Sequence, residues 1–211
     1  MPLASSFTTR DGNGAAAPFG SLPDLAGNNA ATVSLDNGRQ VYRASANFTP
    51  QATAAVTLVT IQGSASKTVR IHRVCIGGVS TALSASVFQL LRTSALGAGG
   101  TVVAPTIARN DSASAAATAV VQHYTTSLKA TGTASGGPLM SGLITTSTVT
   151  TPTVSGGGQP QYLFPEAGAL IGQAIVLRGT ADFLEIQNVA PANLAAGTVL
   201  AYSIEWSEDA S

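Results

Sequence analysis

From about residue 50 onward, apolar side chains in this chain recur with a period of two. In "ATAAVTLVTIQG", Val56, Leu58 and Thr60 alternate with Thr57, Val59 and Ile61. That is the pattern of a strand buried on both faces. "SASVFQLLRTS" sets Val87, Gln89 and Leu91 against Phe88, Leu90 and Arg92. "ATAVVQHYTTS" sets Val121 and His123 against Val120, Gln122 and Tyr124. "TVLAYSIEWSE" places Leu200, Tyr202, Ile204 and Trp206 on one side, and Ala201, Ser203, Glu205 and Ser207 on the other. No stretch shows the 3.6-residue period of an amphipathic helix. The run 113–119 supports at most one helical turn. About eight strands joined by Gly, Pro, Ser and Thr loops predict an all-β chain. The expected architecture is a two-sheet antiparallel sandwich, jelly-roll-like.

The stretch "KTVRIHRVCIGG" holds Lys67, Arg70, Arg73, His72 and the single cysteine, Cys75. Val69 and Ile71 share one face; after Arg73 the apolar residues become Val74 and Ile76. The phase slips by one residue, which predicts a β-bulge near His72-Arg73. The basic residues would then lie on the solvent side of a half-exposed or edge-facing strand, where Lys and Arg discourage edge pairing. Cys75 reads as a small buried hydrophobe. Further on, "QAIVLRG" and "FLEIQNV" read as a hairpin closed through Gly179–Asp182. Trp206 is expected at the rim of the core, because indole favours a site with one polar end.

Residues 1–48 differ from the rest. Gly, Ala, Asn and Pro dominate, and turn signals recur at Asp11-Gly12, Asn13-Gly14 and Asn37-Gly38. Apolar residues are too sparse to enclose a core. The segment reads as an extended N-terminal arm that orders on a neighbouring subunit, ahead of a β-sandwich domain at 49–211. Its candidate partner-binding anchors are Phe7, Phe19, Leu22, Leu25, Val33 and Leu35. Val41, Tyr42 and Phe48 complete the set.

Charge narrows the function. Only 9% of residues are charged, with ten cations against ten anions; an ordinary domain carries about 25%. The clustered Lys/Arg of a nucleic-acid surface is missing from the sequence. No run reaches the ~20 apolar residues of a membrane helix, and the first residues lack the apolar core of a signal peptide. One cysteine leaves no disulfide framework. A weakly charged surface of Ser, Thr, Ala and Val is cheap to bury against partners, since a buried hydroxyl costs far less than a buried charge.

Chemistry is sparse. His72 and His123 are far apart in sequence and have no carboxylate beside them, so no metal site is expected. Gly156–Gly158 lacks the Gly-Lys-Ser/Thr ending of a phosphate loop, and no Gly-x-Ser-x-Gly elbow occurs. Glu185 and Glu205 read as exposed carboxylates on strands that could be neighbours, the one arrangement resembling a glycosidase pair. Glu205, Glu208 and Asp209 read as a solvated acidic end near the C-terminus. The expectation is a protein without catalytic residues, cofactor or metal.

Four segments carry a resemblance. "LVTIQGSASKTVRIHRVCIGG", "FQLLRTSALGAGGTVVAPTIARNDSASAAATAVVQHYTT", "AIVLRGTADFLEIQNV" and "AGTVLAYSIEWSED" together resemble a group of small virion-associated proteins of tailed bacteriophages, over roughly residues 50–208. The resemblance implies a structural virion role. Proteins of this kind serve as capsid decoration (cement) proteins, head fibres or tail components, often as homotrimers. The implied partner is the major capsid protein or another virion protein, with no nucleic acid and no membrane. The implied location is the virion, after synthesis in the host cytoplasm. A tail, fibre or head–tail adaptor component is the alternative placement. A glycan-binding sandwich is a further alternative, although the chain's single Trp and four scattered Tyr give little for sugars to stack on.

Overall fold

Every strong period-two segment forms a strand. The computed structural model describes residues 8–10, 16–18, 22–23, 29–30, 40–50, 56–82, 84–125, 129–146, 161–164, 174–192 and 194–210. The chain divides into two units, 1–39 and 40–211. In the first, β1 (Thr8–Arg10) pairs antiparallel with β2 (Ala16–Pro18), and β3 (Leu22–Pro23) with β4 (Asn29–Ala30).

The second unit begins with β5 (Gln40–Phe48), β6 (Val56–Gln62), β7 (Lys67–Val79) and β8 (Ser84–Ala95). An excursion follows, containing β9 (Val102–Val103), β10 (Ile107–Arg109), β11 (Val120–Tyr124) and β12 (Thr133–Ala134). Then come β13 (Met140–Thr146), β14 (Gln161–Phe164), β15 (Ile175–Arg178), β16 (Phe183–Ala192) and β17 (Val199–Ala210). No helix occurs among the described residues.

One sheet runs β10-β5-β17-β7, with β14 and β15 both along the far edge of β7. The other runs β9-β11-β6-β16-β8, with β12 and β13 along the far edge of β8. All pairings are antiparallel. Set aside the excursion and take β14 with β15 as one position. The first sheet then reads first, eighth, third and sixth strand, and the second reads second, seventh, fourth and fifth. That is the double Greek key of a jelly roll.

The core lies between the sheets. Tyr42, Ala44, Ile71, Val74, Ile76, Leu200, Ile204 and Trp206 point in from the first sheet, and Val59, Ile61, Phe88, Leu90, Leu184 and Ile186 from the second. Each fully buried aliphatic side chain contributes about 1.5–3 kcal/mol.

Four features differ from the sequence reading. Gln40–Phe48, read as the end of the arm, is a sandwich strand held between β10 and β17, so the division between units falls at 39/40. β7 is an interior strand paired on both edges, with Arg70 ion-paired to Asp209 and His72 hydrogen-bonded to Ser207 on β17, and Lys67 donating to Gln40 on β5. β15 and β16 are not a hairpin: β15 pairs with β7 and β16 with β6 and β8. The Gly179–Asp182 turn therefore carries the chain from one sheet to the other. Trp206 is fully buried rather than at the rim, because a carboxylate inside the fold receives its N–H. The bulge lies where the phase slip places it: Arg73 faces Glu205 and Ile71 faces Trp206, leaving His72 as the extra residue.

The sheet-crossing corner sets one close approach. Gly179 has φ +73°, and its carbonyl oxygen would lie 2.5 Å from a Cβ at Gly63. Gly63→Ala is expected to lower stability by about 1–3 kcal/mol, read from urea unfolding. A variant as stable as the parent would show that the corner moves aside freely.

Candidate functional site

The outward face of the first sheet is built row by row from the strand register. Val79 lies beside Val199. Gly77, Ala201 and Asn47 form the next row, then Cys75, Ser203 and Ser45, then Arg73, Glu205 and Arg43. Beyond the bulge, Arg70 and Ser207 lie beside Val41. Rows of small side chains thus lie between a pair of valines and a row of long charged ones. The result is an open, mostly apolar depression of about 430 Å³ over Asn47, Cys75, Gly77, Val199, Ala201 and Ser203. Val79 and Val199 stay exposed at its end. Gly78 points inward here, where an added Cβ would meet the Val199 carbonyl oxygen at 2.6 Å and the Leu200 side chain at 2.7 Å.

The charged band beside the depression is organised by pairing. Arg43 Nε lies 2.8 Å from Glu205 Oε2, and Arg70 Nε 2.6 Å from Asp209 Oδ2. His72 Nε2 and the buried Ser207 Oγ share a hydrogen bond of 2.9 Å. That pair has the elements of a nucleophile and base, yet Ser207 is wholly covered, which denies a substrate carbonyl an approach. Cys75 is half-buried, and burial is the main cause raising its thiol pKa. A raised pKa lowers the thiolate fraction and with it the reactivity.

The centre of the outward face of the second sheet is covered by the chain itself, while Val120 and Leu143 toward its edges stay exposed. Glu185 is fully buried there, contrary to the exposed position expected of it. Thr57 donates to Oε2 at 2.5 Å and Thr93 to Oε1 at 2.8 Å. Gln187 Nε2 and the Gly132 N–H add 3.1 and 3.3 Å bonds. Lys129 lies over the Tyr124 ring and donates its ammonium to the Gly97 carbonyl, while Thr57 N–H donates to the Lys129 carbonyl at 2.9 Å. The segments around 97 and 129–132 are thereby fastened onto Thr57, Thr93, Glu185 and Gln187. Glu185 and Glu205 lie on different sheets, so they form no glycosidase pair.

Glu208, read as part of a solvated acidic end, also points inward and is 1% exposed. It accepts from the backbone N–H groups of Thr118 and Ala119, each at 2.9 Å through Oε1. Oε2 accepts from the Thr118 hydroxyl at 2.7 Å, and Trp206 Nε1 donates to Oε1 at 3.1 Å. Glu208 thus holds the Thr118–Ala119 part of the excursion between β8 and β13, while Glu185 ties β6, β8 and β16 together and takes one bond from the excursion, at Gly132. Sequence reasoning missed them because, apart from Gln187 and Trp206, their donors lie some 50–130 positions away.

His123 sits in the core, its Nδ1 3.2 Å from Tyr202 Oη and its ring 4.9 Å from Phe48. Burial lowers the His123 pKa and raises that of Tyr202. The imidazole is therefore kept neutral in the fold, while the unfolded chain protonates near pH 6.5. The unfolded state binds more protons in that window, so stability is full above pH 6.5 and falls as pH drops through the lowered folded value. His123→Gln should flatten the acid side of a Tm-against-pH curve between pH 5 and 7. An unchanged curve would assign the acid sensitivity to other groups.

Of the nine expected anchors, Phe7, Phe19, Leu25, Val33 and Leu35 lie outside the described residues. Leu22 pairs through its backbone with Ala30. Val41 lies on the outward face of β5, half-buried, whereas Tyr42 and Phe48 are core side chains and are not available to another subunit. No group of three or more His, Cys, Asp or Glu able to hold a metal occurs among the described residues. Comparisons with protein-family models, with curated proteins and with solved structures give no match.

Proposed function

We propose that this chain is a non-enzymatic structural protein of a tailed-phage virion, acting as a capsid decoration (cement) protein. It stabilises the shell through contacts with the major capsid protein, and it works as a homo-oligomer, with a trimer favoured. The observation that carries this reading is the inequality of the two sheet faces. One is covered at its centre, over Thr57, Thr93, Glu185 and Gln187, by the chain's own excursion, while the other stays open among the described residues and combines small side chains with paired charges. Such a face can be buried at little desolvation cost. The weak overall charge and the sequence resemblance over residues 50–208 support the same role.

The test is quantitative mass spectrometry of purified particles of the phage that encodes the chain. A copy number matching the major capsid subunit, or a simple lattice fraction of it, fits a decoration protein. A few to some dozens of copies would move the chain to the tail, a fibre or the head–tail adaptor. Absence from the particle would overturn the virion reading.

A further inference from the structure

We infer that the open face of the first sheet docks an extended segment of a shell subunit that carries an apolar side chain beside a carboxylate. This rests on the decoration reading. The apolar half follows from the depression, where the rows Gly77–Ala201–Asn47 and Cys75–Ser203–Ser45 leave space for one or two aliphatic side chains next to the exposed Val79 and Val199. The acidic half follows from charge complementarity. Among the described residues the face carries Arg43, Arg70, Arg73 and Arg178 against Glu205 and Asp209, net positive on a chain of zero formal charge. Arg43 and Arg73 flank Glu205 by register in the row bordering the depression, with Arg43 ion-paired to Glu205 and 54% exposed, so a carboxylate docking there meets the Arg43 guanidinium. On the opposite sheet the centre of the outward face, at Thr57, Thr93, Glu185 and Gln187, is covered, and only separate residues such as Val120 and Leu143 are exposed.

The experiment uses shells assembled without this chain and the purified full chain. Ala201→Trp fills the depression from an exposed position. Arg43→Glu reverses a charge on a side chain that is 54% exposed. Leu143→Asn, on an exposed site of β13 in the other sheet, is the control. Unchanged far-UV circular dichroism and melting establish that each variant folds. The parent and Leu143→Asn should bind shells equally, and Ala201→Trp and Arg43→Glu should each bind about tenfold more weakly or worse. Binding should weaken with ionic strength. Cys75, the single cysteine, should react with a small maleimide about tenfold more slowly on shells than in solution.

Parent-like binding by both face variants, with Cys75 unprotected, would overturn this docking site and leave the decoration role standing. Loss in Ala201→Trp alone would overturn the acidic half. Cys75 protected by self-association without shells would make the occupant a second copy and overturn the inference. A parent chain that does not bind shells would overturn the decoration role and the docking site together.

Discussion

Glu208→Ala should lower the melting temperature of the sandwich by about 10 °C. The carboxylate is buried and receives two backbone N–H groups, one hydroxyl and the indole N–H. Its removal leaves several buried donors without an acceptor. At about 1–3 kcal/mol for each donor left unpaired, with partial relief from entering water, the loss comes to about 3–5 kcal/mol. A unit of this size loses about 2–4 °C per kcal/mol. Glu205→Ala is the contrast. Its partner Arg43 is largely in solvent, and such pairs contribute about 0–1 kcal/mol. Melting curves of the two variants should therefore separate clearly. Equal, small shifts would mean that the excursion is held by something other than Glu208.

Trp206→Ala is the second large effect, at about 3–5 kcal/mol. The indole is fully buried, lies 5.8 Å from the Tyr42 ring centroid, and supplies one of the four donors to Glu208. Trp206→Phe keeps most of the buried area and loses only the N–H, so it should cost about 1–2 kcal/mol. Because Trp206 and Glu208 touch, the double variant should lose less than the sum of the singles. Urea unfolding followed by circular dichroism reads all three. Strict additivity would show that the indole and the carboxylate act independently.

The fold class was legible because alternation is a local property. In β17 the inward set Leu200, Tyr202, Ile204 and Trp206 can be read directly, and in β7 the phase slip marks the bulge to the residue. β5 was missed although "VYRASANF" alternates as well as any other strand, because the Gly-, Asn- and Pro-rich residues before it set the reading of the whole segment. The corner at Gly179–Asp182 was misread for a different reason. A turn signal states that the chain reverses; it does not state whether the next strand joins the same sheet. The burial of Glu185 and Glu208 was not legible at all. For Glu185, which outward face becomes an inside depends on where the excursion comes to rest; for Glu208, on the inward phase of β17, the backbone donors at Thr118 and Ala119 lie about 90 positions away. The open face was half legible: the basic residues of "KTVRIHRVCIGG" and the outward Glu205 and Asp209 were seen, while the pairing of Glu205 with Arg43 and of Asp209 with Arg70 was not.

The antiparallel ladder of β5 with β17, in which Gln40 meets Glu208 and Phe48 meets Leu200, has a kinetic consequence. The first strand of the sandwich has its long partner only in β17, so the first sheet cannot close until β17 has been made. Contacts of such long sequence separation place folding in the slow class, on the order of milliseconds to seconds. Until β17 is released, β5 and β7 each present an unpaired edge. A stalled or C-terminally clipped chain would therefore be a template for aggregation rather than a slightly shortened protein.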